Sequence, residues 1–285
     1  MIAAAVSVAL ACAVNDDAGK MIELSQPAKR IISLTPGTTE TLFAIGAGNQ
    51  IVGTINGSDY PLAAQRIPLV GTYTRVDTEQ IIALHPDLII TWGSLFPREV
   101  ERFQHLGIPV YISQPHSIKD VLSTVQRLGC LTGHKKEANQ LTQTFTQQLL
   151  VLQKRHPKQK PLIVFYQLGY SLQTINKTSW INEAIELCGG QNYFKGSHWP
   201  APTVTWESIL QINPDLVIND AGNVSWKKDW QQWPKLNAVK NKNLFTVSAD
   251  WVDRPGPRLI LGVQQICYAI EQVREKNKAD SSKKD

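Results

Sequence analysis

A twelve-residue stretch occurs twice, and it limits what this chain can fold into. Residues 79–90 read Glu-Gln-Ile-Ile-Ala-Leu-His-Pro-Asp-Leu-Ile-Ile; residues 207–218 read Glu-Ser-Ile-Leu-Gln-Ile-Asn-Pro-Asp-Leu-Val-Ile. The offset is 128 throughout, with no gap, so Glu79 falls on Glu207, Pro86 on Pro214 and Asp87 on Asp215. Each copy carries apolar residues at helical spacing (Ile81, Ile82, Leu84; Ile209, Leu210, Ile212), which predicts a short amphipathic helix. A Pro-Asp turn ends it, because proline cannot continue the hydrogen-bond ladder. The branched apolar run that follows, 88–90 and 216–218, is too short for a helix and suits a buried strand. Two copies of a helix-turn-strand unit predict two lobes of similar fold.

The 285 residues suffice for one large or two ordinary domains. With 42% hydrophobic and 19% charged residues the composition is that of a globular chain. Net charge is +5, but several basic residues crowd into 276–285, which reads as a solvated, disordered tail (275–285) and not a nucleic-acid stripe. No run of about 18 or more apolar residues occurs, so no spanning helix is predicted. The Ala/Val-rich start, ending Ala-Leu-Ala-Cys-Ala, is like the apolar core and small-residue cleavage site of a secretory leader, taken as 1–20. Cys12 could carry a lipid, although Ala-Leu-Ala before it fits cleavage better. Cys130, between apolar neighbours, reads as a buried free thiol.

Strands alternate with helices along both halves, which predicts mostly parallel α/β sheets. The first half, 21–133, starts with a basic-then-apolar strand at 29–34; residues 35–40 read as a loop in which a threonine caps a helix at 40–45, with Glu40 in its first turn. Residues 134–157 hold no glycine before Pro157, and Leu141, Phe145, Leu149 and Leu152 share one helical face. At about 1.5 Å per residue such a helix spans roughly 30 Å, long enough to link two lobes. The second half, 158–274, restarts with a strand at 162–166 and ends with a helix at 259–274 after a loop at 248–258.

The chemistry of common enzymes is missing. There is no Gly-x-Ser-x-Gly elbow, P-loop or His-Glu-x-x-His, and the six histidines show no close pair at metal spacing. No catalytic, metal or cofactor site is predicted. Aromatic loop chemistry takes its place. Tyr60, Tyr73, Trp92, Trp199 and Trp251 all fall in predicted loops or just past strand ends. Ligands of open α/β sheets bind outside the carboxyl ends of the strands, and each such ring can bury about 150–250 Å². Asp250 and Arg254 share the Trp251 loop and suit polar groups of a ligand; otherwise they are an exposed ion pair. Glu79 and Glu207 each start a helix, where an acid gains about 0.3–1 kcal/mol from the macrodipole. One on each lobe would also suit a basic, pseudo-symmetric partner.

Arg30-Ile-Ile-Ser-Leu-Thr-Pro with Thr39-Glu40, Ser58-Asp-Tyr-Pro61, Pro86-Asp-Leu-Ile-Ile, Leu106-Gly-Ile-Pro-Val, Cys188-Gly-Gly-Gln-Asn and Glu207-Ser-Ile-Leu resemble the periplasmic substrate-binding proteins of iron-siderophore, haem and cobalamin ABC importers. The resemblance runs from about Lys29 to Val273. In residues 248–258 and 264–267 and at Ser58-Asp-Tyr, the chain is most similar to the cobalamin-binding members. The resemblance implies a non-enzymatic, exported, periplasmic receptor, monomeric when free, with two α/β lobes joined by one long helix and a ligand cleft between them. It implies that Glu79 and Glu207 meet arginines of an inner-membrane permease served by ATPase subunits, and that Cys188 pairs with Cys267. For cobalamin it carries over Tyr60, Trp92, Asp250, Trp251 and Arg254. Tyr73 stands where the family has a tryptophan, Trp199 is displaced by two residues, and an aromatic of the 169–178 loop is replaced near Thr174. Haem, with Tyr60, Tyr73 or His198 as axial ligand, is the alternative, and a ferric siderophore is third.

Overall fold

The computed structural model describes residues 12–93, 95–155 and 160–282. The chain divides into two compact units. One runs to Pro115 and takes in Lys119–Thr144; the other comprises His116–Ile118 and everything from Phe145.

The first unit holds β1 (Cys12–Asn15), β2 (Met21–Leu24), β3 (Ile31–Ser33), α1 (Pro36–Ala44), β4 (Ile51–Ile55), β5 (Leu69–Gly71), α2 (Thr78–Ala83), β6 (Leu88–Trp92), α3 (Pro97–His105), β7 (Val110–Ser113) and most of α4 (Ile118–Thr132). A single helix, α5 (Lys135–Arg155), then carries the chain into the second unit. His156 and Pro157, the expected end of that helix, lie outside the described residues. The second unit continues with β8 (Leu162–Gln167), α6 (Trp180–Leu187), β9 (Gly190–Asn192), α7 (Trp206–Ile212), β10 (Leu216–Asn219), α8 (Lys227–Gln231), α9 (Asn237–Lys240), β11 (Leu244–Thr246), α10 (Ala249–Val252) and α11 (Leu259–Ser281). The larger sheet of each unit is parallel, in the orders β5-β4-β3-β6-β7 and β11-β10-β8-β9. Among the described residues no helix is long and apolar enough to cross a membrane.

The repeat resolves into one device built twice. Asp77 caps α2 by accepting the Gln80 N–H at 2.9 Å, and Thr205 caps α7 by accepting the Ser208 N–H at 3.3 Å. Ile81 and Ile209 are wholly buried beneath these helices. Both helices end on a residue in the left-handed region, His85 at φ 45° and Asn213 at φ 44°. The aspartate of each Pro-Asp then ties its strand to the neighbour. Asp87 accepts the Lys29 and Arg30 N–H groups at 2.8 and 2.9 Å and donates its own N–H to Arg30. Asp215 accepts the Ile163 N–H at 2.7 Å and donates its N–H to the same residue. In the first unit the tie is backed by Arg30, whose Nε reaches the Leu84 carbonyl at the end of α2.

The apolar runs alternate between two faces. Ile31, Leu88, Ile90 and Tyr111 pack on one side of the first sheet with Val125, Leu128 and Leu131 of α4. Ile32, Ile89, Val110 and Ile112 pack on the other with Ile81 and Phe103. A parallel sheet covered on both faces needs such continuous apolar strands. In the second unit Phe165 and Val217 pack with Ile209, Trp226 and Trp230.

Four expectations are corrected. The expected leader spans 1–20. Its first eleven residues lie outside the described residues, but from Cys12 the chain is a hairpin, β1 antiparallel to β2. The turn is held by Asp16, which accepts Ala18, Lys20 and Ile112 N–H groups, and by Asp17, which accepts the Gln114 N–H and pairs with Arg127 at 2.5 Å. Cys130 is not a free thiol but is disulfide-bonded to Cys12, which staples the hairpin to α4. A loop of 118 residues closed this way stabilises by roughly 4–5 kcal/mol in the chain-entropy account. The tail expected to be disordered from residue 275 is helical to Ser281, because Lys, Glu and Ala continue a helix where no glycine or proline stops it. Arg274 anchors α11 on the Gly189 carbonyl at 2.8 Å, and Lys276 on Asn243 at 3.2 Å. Glu40 also differs from expectation: α1 starts at Pro36, so Glu40 lies in mid-helix and is buried.

Asp87→Ala removes a charged acceptor from two backbone N–H groups. It should lower unfolding free energy by about 1.5–3 kcal/mol, read as a shift of the denaturant midpoint at unchanged slope.

Candidate functional site

In a parallel sheet every carboxyl strand end emerges on one edge, and in both units the order reverses there, between β3 and β6 and between β8 and β10. Such switch points are where open α/β sheets bind ligands.

In the first unit a chain of buried hydroxyls fixes that edge. Thr38 and Thr39 of α1 meet Ser33 at 2.8 and 2.9 Å, and Thr39 reaches Thr54 at 3.2 Å and Ser58 at 3.4 Å. These contacts hold the loop after β4, where Tyr60 is half exposed. After β5 the chain turns back at once, with the Thr72 N–H donating to the Arg75 carbonyl at 2.7 Å and Tyr73 at the tip, 49% exposed. Gly71 permits the turn, since a Cβ there would lie 2.4 Å from the Arg75 oxygen. Trp92 is the last residue of β6, opposite Ser113 of β7, and is partly buried. Tyr60, Tyr73 and Trp92 therefore share one sheet edge.

In the second unit the expected 248–258 loop contains a helical turn. Asp250 and Trp251 lie in α10 and Arg254 follows one turn later. The Arg254 guanidinium pairs with Asp250 at 2.7 Å, its side chain only 16% accessible against 52% for Asp250. The pair is thus half-buried and not a bare surface pair. Trp180 steadies the helix by donating its indole N–H to the Val252 carbonyl at 2.7 Å. Trp199 sits apart on its own loop, 71% exposed.

Beside α10 lies a pair of perturbed acids. Asp220, past the end of β10, accepts the Tyr166 hydroxyl at 3.0 Å and the Gly169 N–H at 2.6 Å. Burial raises its pKa, and these hydrogen bonds oppose the rise. The carboxyl of Asp253, although its residue keeps contact with solvent, is crowded by protein atoms and faces the Asp220 charge; it is pushed up to about 7, with Arg254 pulling the other way.

The aromatic expected near Thr174 has a different counterpart. Thr174 is wholly buried, with its N–H on the Pro202 carbonyl. The exposed aromatic of that loop is Tyr170, at 57%. Its sequence signal was a lone tyrosine one residue after a glycine at a strand end.

Glu79 and Glu207 are exposed, each two residues past its cap. The Glu207 carboxyl is held below the usual range by the Thr205 hydroxyl and its own backbone N–H. Glu79 borders a groove of about 760 Å³ with Arg75, Asp77 and Arg102. At the cap the second copy has Thr205 in place of Asp77, so that charge is not repeated. Cys188 and Cys267 form a disulfide between the ends of α6 and the middle of α11. Among the described residues no group of three or more His, Cys, Asp or Glu could hold a metal ion.

The chain is 32% identical over 248 residues to the vitamin B12-binding protein of Vibrio cholerae, covering 86% of this chain and 90% of that relative. Its fold matches the crystal structure of the periplasmic vitamin B12 binding protein BtuF of the same organism with a TM-score of 0.78, over 87% of this chain and 98% of that one, at 32% identity. The periplasmic heme-binding protein RhuT from Roseiflexus shares the fold at a TM-score of 0.75 and 19% identity, over 86% and 99% of the two chains. Residues 31–250 match the sequence pattern of a periplasmic binding protein family. The chain belongs to the periplasmic binding protein family.

Proposed function

We propose that this protein captures cobalamin in the periplasm and delivers it to an inner-membrane ABC importer, a permease with its ATPase subunits. What carries this reading is that Tyr60, Tyr73 and Trp92 stand at or just past carboxyl strand ends of the first unit and Trp251 and the Asp250–Arg254 pair follow β11 in the second, in a chain 32% identical to a vitamin B12-binding protein. A corrin is a flat macrocycle edged with amides. Aromatic faces suit the plane, and Asp250 and Arg254 suit the amides by accepting and donating hydrogen bonds. No protein axial ligand is needed. In this reading Trp199 contributes from its exposed loop, and a monomer acts alone. With its sulfur in a disulfide, Cys12 is not the site of a lipid anchor.

Titration with cyanocobalamin should quench tryptophan fluorescence and shift the corrin bands at one equivalent. Haemin, added in parallel, should give no Soret band of a Tyr- or His-ligated haem. A haem complex without a cobalamin complex overturns the reading in favour of the haem alternative.

The docking part is separable. Glu79 and Glu207 stand as exposed carboxylates on equivalent helices, suited to permease arginines. Glu79→Ala combined with Glu207→Ala should leave cobalamin affinity within about twofold and reduce uptake in reconstituted vesicles about tenfold or more, the loss of roughly 1.4 kcal/mol of docking energy. Normal uptake by the double variant removes the docking assignment.

Asp253 adds a pH signature. Its folded pKa of about 7 lies above the unfolded value, so its contribution to stability is fully present below the unfolded pKa and is lost as pH rises through about 7. Asp253→Asn removes that loss. The Tm of the variant relative to the wild type should therefore rise between pH 5.5 and 8. A difference in Tm that does not change with pH contradicts the assignment.

A further inference from the structure

Many surface tyrosines stand free, but Tyr170 does not. The backbone turns sharply after β8. The Leu168 N–H donates to the Gln173 carbonyl at 2.9 Å, closing a tight loop with Tyr170 at its tip. Gly169, at φ 56°, is gripped on both sides: its N–H by Asp220 at 2.6 Å, its carbonyl by the Asn219 amide at 2.5 Å. The Tyr170 hydroxyl donates to the Ala221 carbonyl at 3.2 Å and accepts from the Asn223 amide. Both ends of the residue are therefore fixed to the segment that follows β10, while the ring stays 57% exposed. An exposed ring ordinarily gains nothing from such restraint. A ring that meets a flat ligand does, because side-chain freedom surrendered in advance is not lost again on binding.

Position adds to this. Tyr170 follows the carboxyl end of β8, at the switch point of the second sheet. Asp220 joins its loop to the acid that sits beside Arg254, since Asp220 grips Gly169 and its charge acts on Asp253. Tyr193 and Tyr268 are exposed to similar extents. Tyr193 packs against Phe194 in the 3-10 turn after β9, and Tyr268 lies on the flank of α11. Thr174, in the same loop, is buried and presents no ring.

We infer that Tyr170 is a specificity-determining residue of the second unit, a ring held rigid by its own hydroxyl to lie against the plane of a macrocyclic ligand. This rests on the binding function proposed above, and the test keeps the two apart. Cyanocobalamin and haemin are each titrated into wild type, Tyr170→Ala, Tyr170→Leu, Tyr170→Phe and Tyr170→Trp, with Tm measured for each. Loss of a stacked ring should weaken binding about tenfold in the Ala and Leu variants. The Phe variant, with the ring kept but its two hydroxyl bonds gone, should fall between them and wild type, and Trp should restore affinity. Leu separates stacking from bulk, and matched Tm values separate binding from folding. Ala or Leu variants that bind within twofold of wild type overturn the assignment. If wild type binds haemin and not cyanocobalamin, the same order among variants supports Tyr170 while removing the cobalamin reading. If wild type binds neither, both fall.

Discussion

One interaction sets the geometry on which the rest depends: the carboxylate of a Pro-Asp turn taking up the N–H groups where the neighbouring strand begins. Asp87 does this for β3 and Asp215 for β8. Each also returns its own N–H, so the two strands start level and run parallel. Once they do, their carboxyl ends lie on one edge, and every loop leaving that edge becomes available to one ligand. The proline stops the helix before, the left-handed His85 or Asn213 turns the chain, and the aspartate fixes the register.

What each unit then places on its edge differs. The first unit fixes Tyr60 through a ladder of threonine and serine hydroxyls and sets Tyr73 at the tip of a turn that only a glycine at position 71 allows. The second relies on carboxylates and amides. Asp220 and Asn219 grip Gly169, and Asp250 pairs with the guanidinium of Arg254. A hydroxyl ladder is uncharged and indifferent to pH. The acid pair is not, because burial and mutual repulsion leave Asp253 near neutrality in its pKa. Each unit also has its own disulfide, Cys12–Cys130 and Cys188–Cys267.

Much of this was legible in advance, for identifiable reasons. The strand at 162–166 and the long helix through Phe145 follow from local rules of β-branching and period. The hairpin at Cys12–Leu24 was obscured because Cys12, Ala13 and Val14 continue the Ala/Val-rich composition of the start of the chain without a break. The charged end of α11 was obscured because a run of lysines is judged by charge, although its backbone propensity is helical. Tyr170 went unnoticed because a single aromatic after a glycine carries no periodic signal. The clamp that distinguishes it comes from Asn219, Ala221 and Asn223, some fifty residues away.

The sequence by itself determined the repeated unit, the parallel α/β class and the family, since these rest on local patterns a few residues long. It also placed Glu79 and Glu207 at equivalent helix starts. Tertiary structure alone decided that Cys12 meets Cys130, that Arg254 is shielded while Asp250 is exposed, and that Tyr170 rather than position 174 presents the ring. Those outcomes depend on burial and on contacts between residues far apart in the chain, and closure over such distances leaves no trace in the order of neighbouring side chains.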